Sequence, residues 1–288
     1  MVYEYKIETD LKQIYDYYNS IKNAVPYWFD ASYELWIVSY NNDTDYDGDK
    51  MFSELMTYAA YAENNIVGFI QYGISNYIYN ENGEKDYSEK CGVIRNLYFD
   101  SNNNCGEKLI SFAEEYFAEK NISKKSAFFH ALGMTCNAGH GKLYCGLPHI
   151  ENALLKFGYE KEHENVYYKR LLSIDDCNVQ NNVSIKYNAD NSKGMSVFSI
   201  CIGDRCVGAG EIVYLPQGEI CYLKWIYIDE SEQGKGYATA AVKKLCADLY
   251  NSGIRRLDTD TADENIIAQK LYLKTGFKDM GRTRSYLK

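Results

Sequence analysis

The run Gln233-Gly234-Lys235-Gly236-Tyr237-Ala238 decides how this chain is read. It stands between an apolar run, Ile220 to Ile228, and an amphipathic stretch, Thr239 to Tyr250, so the local order is strand, tight turn, helix. A turn that opens a helix leaves several backbone N–H groups unpaired at the positive end of the helix dipole, a setting that suits a phosphate. Glycine at 234 and 236 removes the β-carbons that would hold a phosphate away, and Ala238 keeps the next approach small.

Downstream comes a short strand pattern, Arg256 to Thr261, and then Asn265-x-x-Ala268-x-x-Leu271-Tyr272-x-Lys274-x-Gly276-Phe277. Ile267, Leu271 and Lys274 fall on one side of a helix, and Gly276 sits where a helix stops. Together, the Gln-x-x-Gly-x-Ala loop and this second string resemble the two halves of the signature of the GNAT (GCN5-related N-acetyltransferase) superfamily. The resemblance covers residues 197 to 288.

An eroded internal repeat extends it. Val67-Gly68-Phe69-Ile70 parallels Val207-Gly208-Ala209-Gly210, and Arg95 to Asp100 parallels Lys224 to Asp229. Leu154-Leu155-Lys156-Phe157-Gly158-Tyr159 parallels Tyr272-Leu273-Lys274-Thr275-Gly276-Phe277. Three matches in one order predict two copies of one architecture. The expected organisation is a degenerate GNAT-like domain over 1–172, a linker over 173–182 and an acetyl-CoA-binding GNAT domain over 183–288. The fold class is α/β (α+β), each domain a mixed, mostly antiparallel twisted sheet flanked by helices.

The first copy has lost the chemistry. Gly106-Glu107-Lys108 replaces Gly236-Tyr237-Ala238 in a loop one residue shorter, and an acidic side chain there repels a diphosphate. Leu154 stands where the second copy has Tyr272, and leucine has no proton to donate. The second copy, in turn, has only about 25 residues between the end of the first copy at 172 and the hairpin Ser196 to Leu215, too few for two helices. The first copy has room for them, with Leu11, Ile14, Tyr17, Tyr18 and Ile21 at helical spacing.

Composition bounds the function. The chain has 288 residues, 46% of them apolar, and no run long enough to span a membrane. A net charge of −9 argues against nucleic acid and favours an amine-bearing acceptor. Nine cysteines without a disulfide-like array, and a start lacking a secretion signal, give the expectation of a cytoplasmic protein. Cys136, His140, Cys145 and His149, with His130 and His163 nearby, offer the donor types of a tetrahedral zinc site. Their spacing is not that of a common zinc module, and the expectation is a folded loop and no metal.

The resemblance implies an acetyl-CoA-dependent N-acetyltransferase that passes acetyl directly to a primary amine of a small molecule or peptide. The alternative is a non-catalytic CoA-binding or interaction protein with the same fold. By the resemblance, backbone groups of Trp225, Ile226, Tyr227 and Ile228 would bond the pantetheine arm. Gln233, Gly234, Lys235, Gly236, Tyr237, Ala238 and Thr239 would hold the diphosphate, Asn265 would touch the cofactor, and Tyr272 would donate to the departing sulfur. For Tyr272 a packed ring, and for Asn265 a helix cap, are the structural alternatives. Relatives place the general base nine or eleven residues ahead of the loop, here Lys224 and Tyr222, neither an obvious base. Glu219 and Glu211 remain as candidates, beside a water relay or a carboxylate lent by the first domain.

Overall fold

The computed structural model describes residues 2–42, 44–45, 48–79, 84–102, 104–178, 182–188 and 194–288, without the side chains of His130 and Asn178. The chain divides into two compact units, Met1–Glu164 with Thr283–Lys288, and Asn165–Arg282. Among the described residues, no helix is long and apolar enough to cross a membrane.

The first unit runs β1 (Glu4–Ile7), α1 (Leu11–Ile21), α2 (Tyr33–Asn41), β2 (Phe52–Ala62), β3 (Asn65–Ser75), the small pair β4 (Ile78–Tyr79) and β5 (Lys85–Asp86), and β6 (Cys91–Phe99). It continues with α3 (Cys105–Glu119), β7 (Lys125–Ala127), β8 (Leu143–Tyr144), α4 (Pro148–Lys156) and the start of β9 (Glu160–Leu171). The second runs from the rest of β9 through β10 (Ser184–Tyr187), β11 (Met195–Ile202), β12 (Arg205–Tyr214), β13 (Ile220–Ile228), α5 (Tyr237–Asn251), β14 (Arg256–Ala262), α6 (Ile266–Lys274) and most of β15 (Lys278–Leu287). As the spacing predicts, two helices follow the opening strand of the first unit. Between β10 and β11 lie seven residues, of which 189–193 are outside the described set.

Each unit is a mixed, mostly antiparallel sheet with one parallel pair. In the first, β1-β2-β3-β6 are antiparallel neighbours and β6 pairs β7 in parallel. In the second, β10-β11-β12-β13 are antiparallel neighbours, β13 pairs β14 in parallel, and β14 pairs Asn165–Leu171 antiparallel. The division differs from the sequence expectation of 1–172 and 183–288. Residues 165–171 carry an unbroken ladder to β14, and Leu172 N–H donates to Arg255 O at 2.9 Å, so this stretch is bound into the second unit before any linker begins. Conversely, Tyr286 and Leu287 pair with Ala127 and Ser126, which takes the C-terminus into the first unit. The expected linker 173–182 begins as a short helical turn, Ile174–Asn178, and residues 179–181 lie outside the described set.

The repeat is visible bond by bond. Asp100 N–H donates to Val67 O at 3.1 Å, and Asp229 N–H to Val207 O at 2.9 Å. Tyr159 N–H donates to Leu154 O at 3.2 Å, and Phe277 N–H to Tyr272 O at 3.0 Å, with Gly158 and Gly276 both left-handed at φ +82° and +88°. Each unit has a β-bulge at the matching place in the repeat. Arg95 is the extra residue between the pairs Gln71↔Asn96 and Tyr72↔Ile94, and Lys224 is the extra residue between Glu211↔Trp225 and Ile212↔Leu223.

In the first unit the region past the bulge is filled by protein. The buried Arg95 guanidinium donates to the carbonyls of Leu132 (2.9 Å), Tyr40 (3.0 Å) and Gly133 (3.0 Å). His149 Nε2 donates to Phe99 O at 2.8 Å, and the Phe99 ring lies on Gly106, where a β-carbon would come within 2.3 Å of it. Gly106 therefore serves packing, not a phosphate. Lys156 pairs with Glu107 at 2.5 Å.

The cysteine–histidine loop does not assemble as a ligand set. Among the described residues no three His, Cys, Asp or Glu side chains gather where a metal ion could sit. Cys136 N–H donates to Ser39 Oγ at 2.8 Å, His140 lies edge-on to Tyr27 at 4.5 Å, and His163 is exposed beside Glu162; the His130 side chain is outside the described set.

Replacing Gly106 by alanine is expected to destabilise the first unit by about 1–3 kcal/mol through overpacking against Phe99. Urea unfolding followed at probes in the first unit checks this; an unchanged midpoint would remove the plug reading.

Candidate functional site

The second unit holds a cleft of about 870 Å³, inside the ordinary range of ligand sites. Its origin is a parting of two strands. β13 and β14 are paired from Ile220↔Arg256 to Leu223↔Thr259 and no further. The bulge at Lys224 bends β13 away at that point, while β14 continues alongside β9 as far as Ala262. Residues Trp225 to Ile228 keep β12 on one edge, from Glu211↔Trp225 to Gly208↔Ile228, and turn the other edge to the cleft.

At one end of the cleft lies the glycine loop. Gly234 and Gly236 have φ +75° and +83°, a region L-residues with side chains avoid, and a β-carbon on either would point into open space. Gly236 is the N-cap of α5 and no side chain caps the helix, nor is there an acidic residue in its first turn. Among the described residues, the N–H groups of Gly234 through Thr239 find no protein acceptor. That is a run of donors at a helix N-terminus around an empty cradle, the arrangement that binds an anion. Beside it the Glu232 carboxylate is held below its usual pKa by Arg205, and Lys235 also pairs with it at 3.0 Å.

The walls come from four elements. Trp225 to Ile228, Gln233, Gly234, Gly236 and Tyr237 to Thr239 line one side. Thr261, Asn265, Ile267, Ala268, Leu271 and Tyr272 line the other, with Lys224, Lys270 and Lys274 adding positive charge. Tyr272 is 4% exposed, packed between the rings of Tyr168 and Phe277. Burial raises its phenol pKa, with the Thr259 hydroxyl pulling the other way, so it is a protonated donor at neutral pH. It is thus both a packed ring and a cleft residue.

The structure brings together nearly all the residues singled out by sequence, with qualifications. Asn265 borders the cleft, but its Oδ1 caps α6 by accepting from Ala268 N–H at 3.1 Å. Gln233 spends its side chain on the turn, donating to Ile228 O at 3.0 Å. Glu219 is a correction. It is exposed at the opposite end of β13, in a left-handed turn at φ +54°, where its carbonyl accepts from Arg255 and Arg256. Glu211 is engaged by Trp225 Nε1 at 2.5 Å and Lys224 Nζ at 3.3 Å.

Sequence reasoning missed Asp260. It lines the cleft one residue beyond the last parallel pair, accepting from the Tyr222 hydroxyl and from Asn165 Nδ2 at 2.5 Å. The signal was present: Asp258 and Asp260 alternate along a strand whose other residues after Arg256 are apolar or threonine, and a carboxylate in a buried strand needs a reason.

Comparison with known proteins agrees with this geometry. Residues 158–277 match the model of the Acetyltransferase (GNAT) family. A tandem GNAT protein from the clavulanic acid biosynthesis pathway, solved without AcCoA, superposes with a TM-score of 0.61 at 11% identity, covering 100% of this chain and 98% of that one. A GCN5-related N-acetyltransferase from Sphaerobacter thermophilus gives 0.65 at 10% identity, with 99% and 95% covered. A GCN5-related glucosamine N-acetyltransferase region of a fungal multi-domain GH3 β-N-acetylglucosaminidase gives 0.67 at 11% identity, covering 100% of this chain and 38% of that one. Residues 158–277 are thus similar to a GNAT-family domain, and the chain as a whole shares the fold of a tandem GNAT protein.

Gly236→Ala is expected to cost only about 1–2 kcal/mol of stability, the penalty of a left-handed non-glycine residue, because its methyl group meets no atom. Urea unfolding of the second unit measures it; a loss beyond that range would mean the cradle is a packed turn.

Proposed function

We propose that this protein transfers acetyl from acetyl-CoA to the primary amine of a small molecule or peptide, by direct attack on the thioester. The observation that carries the reading is the conjunction, in one cleft, of the donor-rich glycine loop, the outer edge of β13 and the Tyr272 hydroxyl. The loop N–H groups, Gly234 to Thr239, suit the diphosphate; Lys270 and Lys274 add charge for an anionic cofactor. Backbone groups of Trp225 to Ile228 suit the amides of the pantetheine arm, as an added strand would.

Held this way, the thioester carbon sits where the strands part, and the amine is converted from a bimolecular to a bound reactant. Tyr272, buried and protonated, supplies the proton that the leaving thiolate takes. Acetyl, the expected acyl group, is the family's usual one. The filling of the matching region in the first unit supports one acetyl-CoA site per chain, in the second. A cytoplasmic setting fits the nine free cysteines.

Calorimetry with acetyl-CoA should give one site per chain, abolished or much weakened in Gly236→Ala even though that variant stays folded. Two equivalent sites, or none, would overturn the reading.

Tyr272→Phe should bind acetyl-CoA nearly as well as the parent while thiol release to an accepted amine falls by about tenfold or more, toward the low end of general-acid effects because a thiolate leaves well unaided. Unchanged turnover with a shifted melting temperature would make Tyr272 a packing residue alone.

A further inference from the structure

Strand alternation fixes where an acceptor must come from. Thr259 lies on the β14 face that packs with Tyr168, Leu257 and Leu223 against α5 and α6, and it is the residue beside Tyr272. Asp260, the next residue, points to the opposite face. Tyr222, Asp258 and Tyr167 share that face by register: Tyr222 is opposite Asp258, and Tyr167 is opposite Asp260. They form a polar layer. Arg256 and Tyr167 bond Asp258, which is 0% exposed, while Tyr222 and Asn165 bond Asp260. Only Asp260, half-buried, reaches the cleft. The gap between the parted strands therefore has Tyr272 on its helix side and a carboxylate on the other.

We infer that Asp260 holds the acceptor as its ammonium ion and takes the first proton from it, so the acceptor class is a primary amine that is cationic in solution, not an alcohol or thiol. This rests on the acetyl-transfer reading above. Tyr222 and Asn165 fix the carboxylate by donating to it, and its edge lines the cleft from which an ammonium N–H would arrive. The ammonium gives one proton to Asp260. The freed nitrogen lone pair attacks the thioester carbonyl; the C–N bond forms and the C–S bond breaks. Nitrogen loses its second proton on forming the amide; the thiolate gains one from Tyr272, the nitrogen's second proton restores Tyr272, and Asp260 passes the first proton to solvent. The balance is one ammonium and one thioester giving one amide, one thiol and one proton released to solvent. The carboxylate nine or eleven residues ahead of the loop is absent because its work is done from the neighbouring strand, with Tyr222 donating to it across the gap.

The test uses the full chain saturated with CoA and titrated with n-butylammonium chloride, followed by amide NMR shifts; n-butanol is the uncharged counterpart. Saturable binding of the ammonium ion, none of the alcohol, and weakening by at least about tenfold in Asp260→Asn are expected, since removing the carboxylate removes a charge-assisted contact. Asp260→Glu keeps the charge and should bind the ion better than the amide variant does. With acetyl-CoA and saturating n-butylamine, thiol release should fall by about 10²-fold or more in Asp260→Asn. Calorimetry on that variant should give the parent's CoA affinity. Equal binding of n-butylammonium by Asp260→Asn, equal binding of n-butanol by the parent, or an unchanged rate overturns the assignment of Asp260 while leaving acetyl transfer standing. A parent that fails to bind CoA at all overturns the transfer reading and this one with it.

Discussion

The structure depends on a single extra residue in a strand. Lys224 bulges out of the β12–β13 ladder, and the parallel pairing of β13 with β14 ends at the residue before it. Backbone N–H and C=O groups beyond that point still need partners, because an unpaired buried peptide group costs as much as a lost hydrogen bond. A parted pair of strands is therefore an unfinished sheet, and whatever completes it gains those bonds. Helix α5 starts just beyond the end of β13, so its unpaired N–H groups lie at the end of the same gap.

The two units answer that demand differently from the same architecture. In the first, the bulged residue is Arg95, whose three donors satisfy three carbonyls inside the unit. Phe99 lies over the start of α3 and His149 takes its carbonyl. The gap is filled from within. In the second, the bulged residue is Lys224, the strand end is unplugged, and the loop glycines face open space. Gly106 and Gly236 occupy matching places for opposite reasons. One makes room for a ring of its own chain, the other for something that is not protein.

Much of this was legible in the sequence. The loop, the helix stop at Gly276 and the three repeated strings were readable because each rests on local chemistry: left-handed φ, helix periodicity, a carbonyl taken by a residue a turn away. What depended on pairing between distant strands was not readable. The domain boundary falls inside β9, since residues 165–171 find their ladder nearly a hundred positions later, whereas the linker expected over 173–182 lies beyond that ladder. Glu219 looked like a base because it flanks the right strand; the fold puts it at the wrong end. Asp260 was overlooked because its role follows from register, from Tyr222 facing β14 across the one pair of strands that parts.

Register also settles how acid and base chemistry can coexist in a small space. A proton donor and a proton acceptor on one face of a sheet would bond each other and be idle. Successive residues of β14 avoid this: Thr259 turns toward Tyr272 and the apolar core, and Asp260 turns toward Tyr222 and the polar layer. Burial in the core raises the Tyr272 phenol pKa and keeps it protonated, whereas Asp260 accepts hydrogen bonds from Tyr222 and Asn165. The environments are pushed apart by strand alternation alone, without a long loop or a domain movement. Under the proposed function, a thioester in the gap would meet Tyr272 on one side and Asp260 on the other.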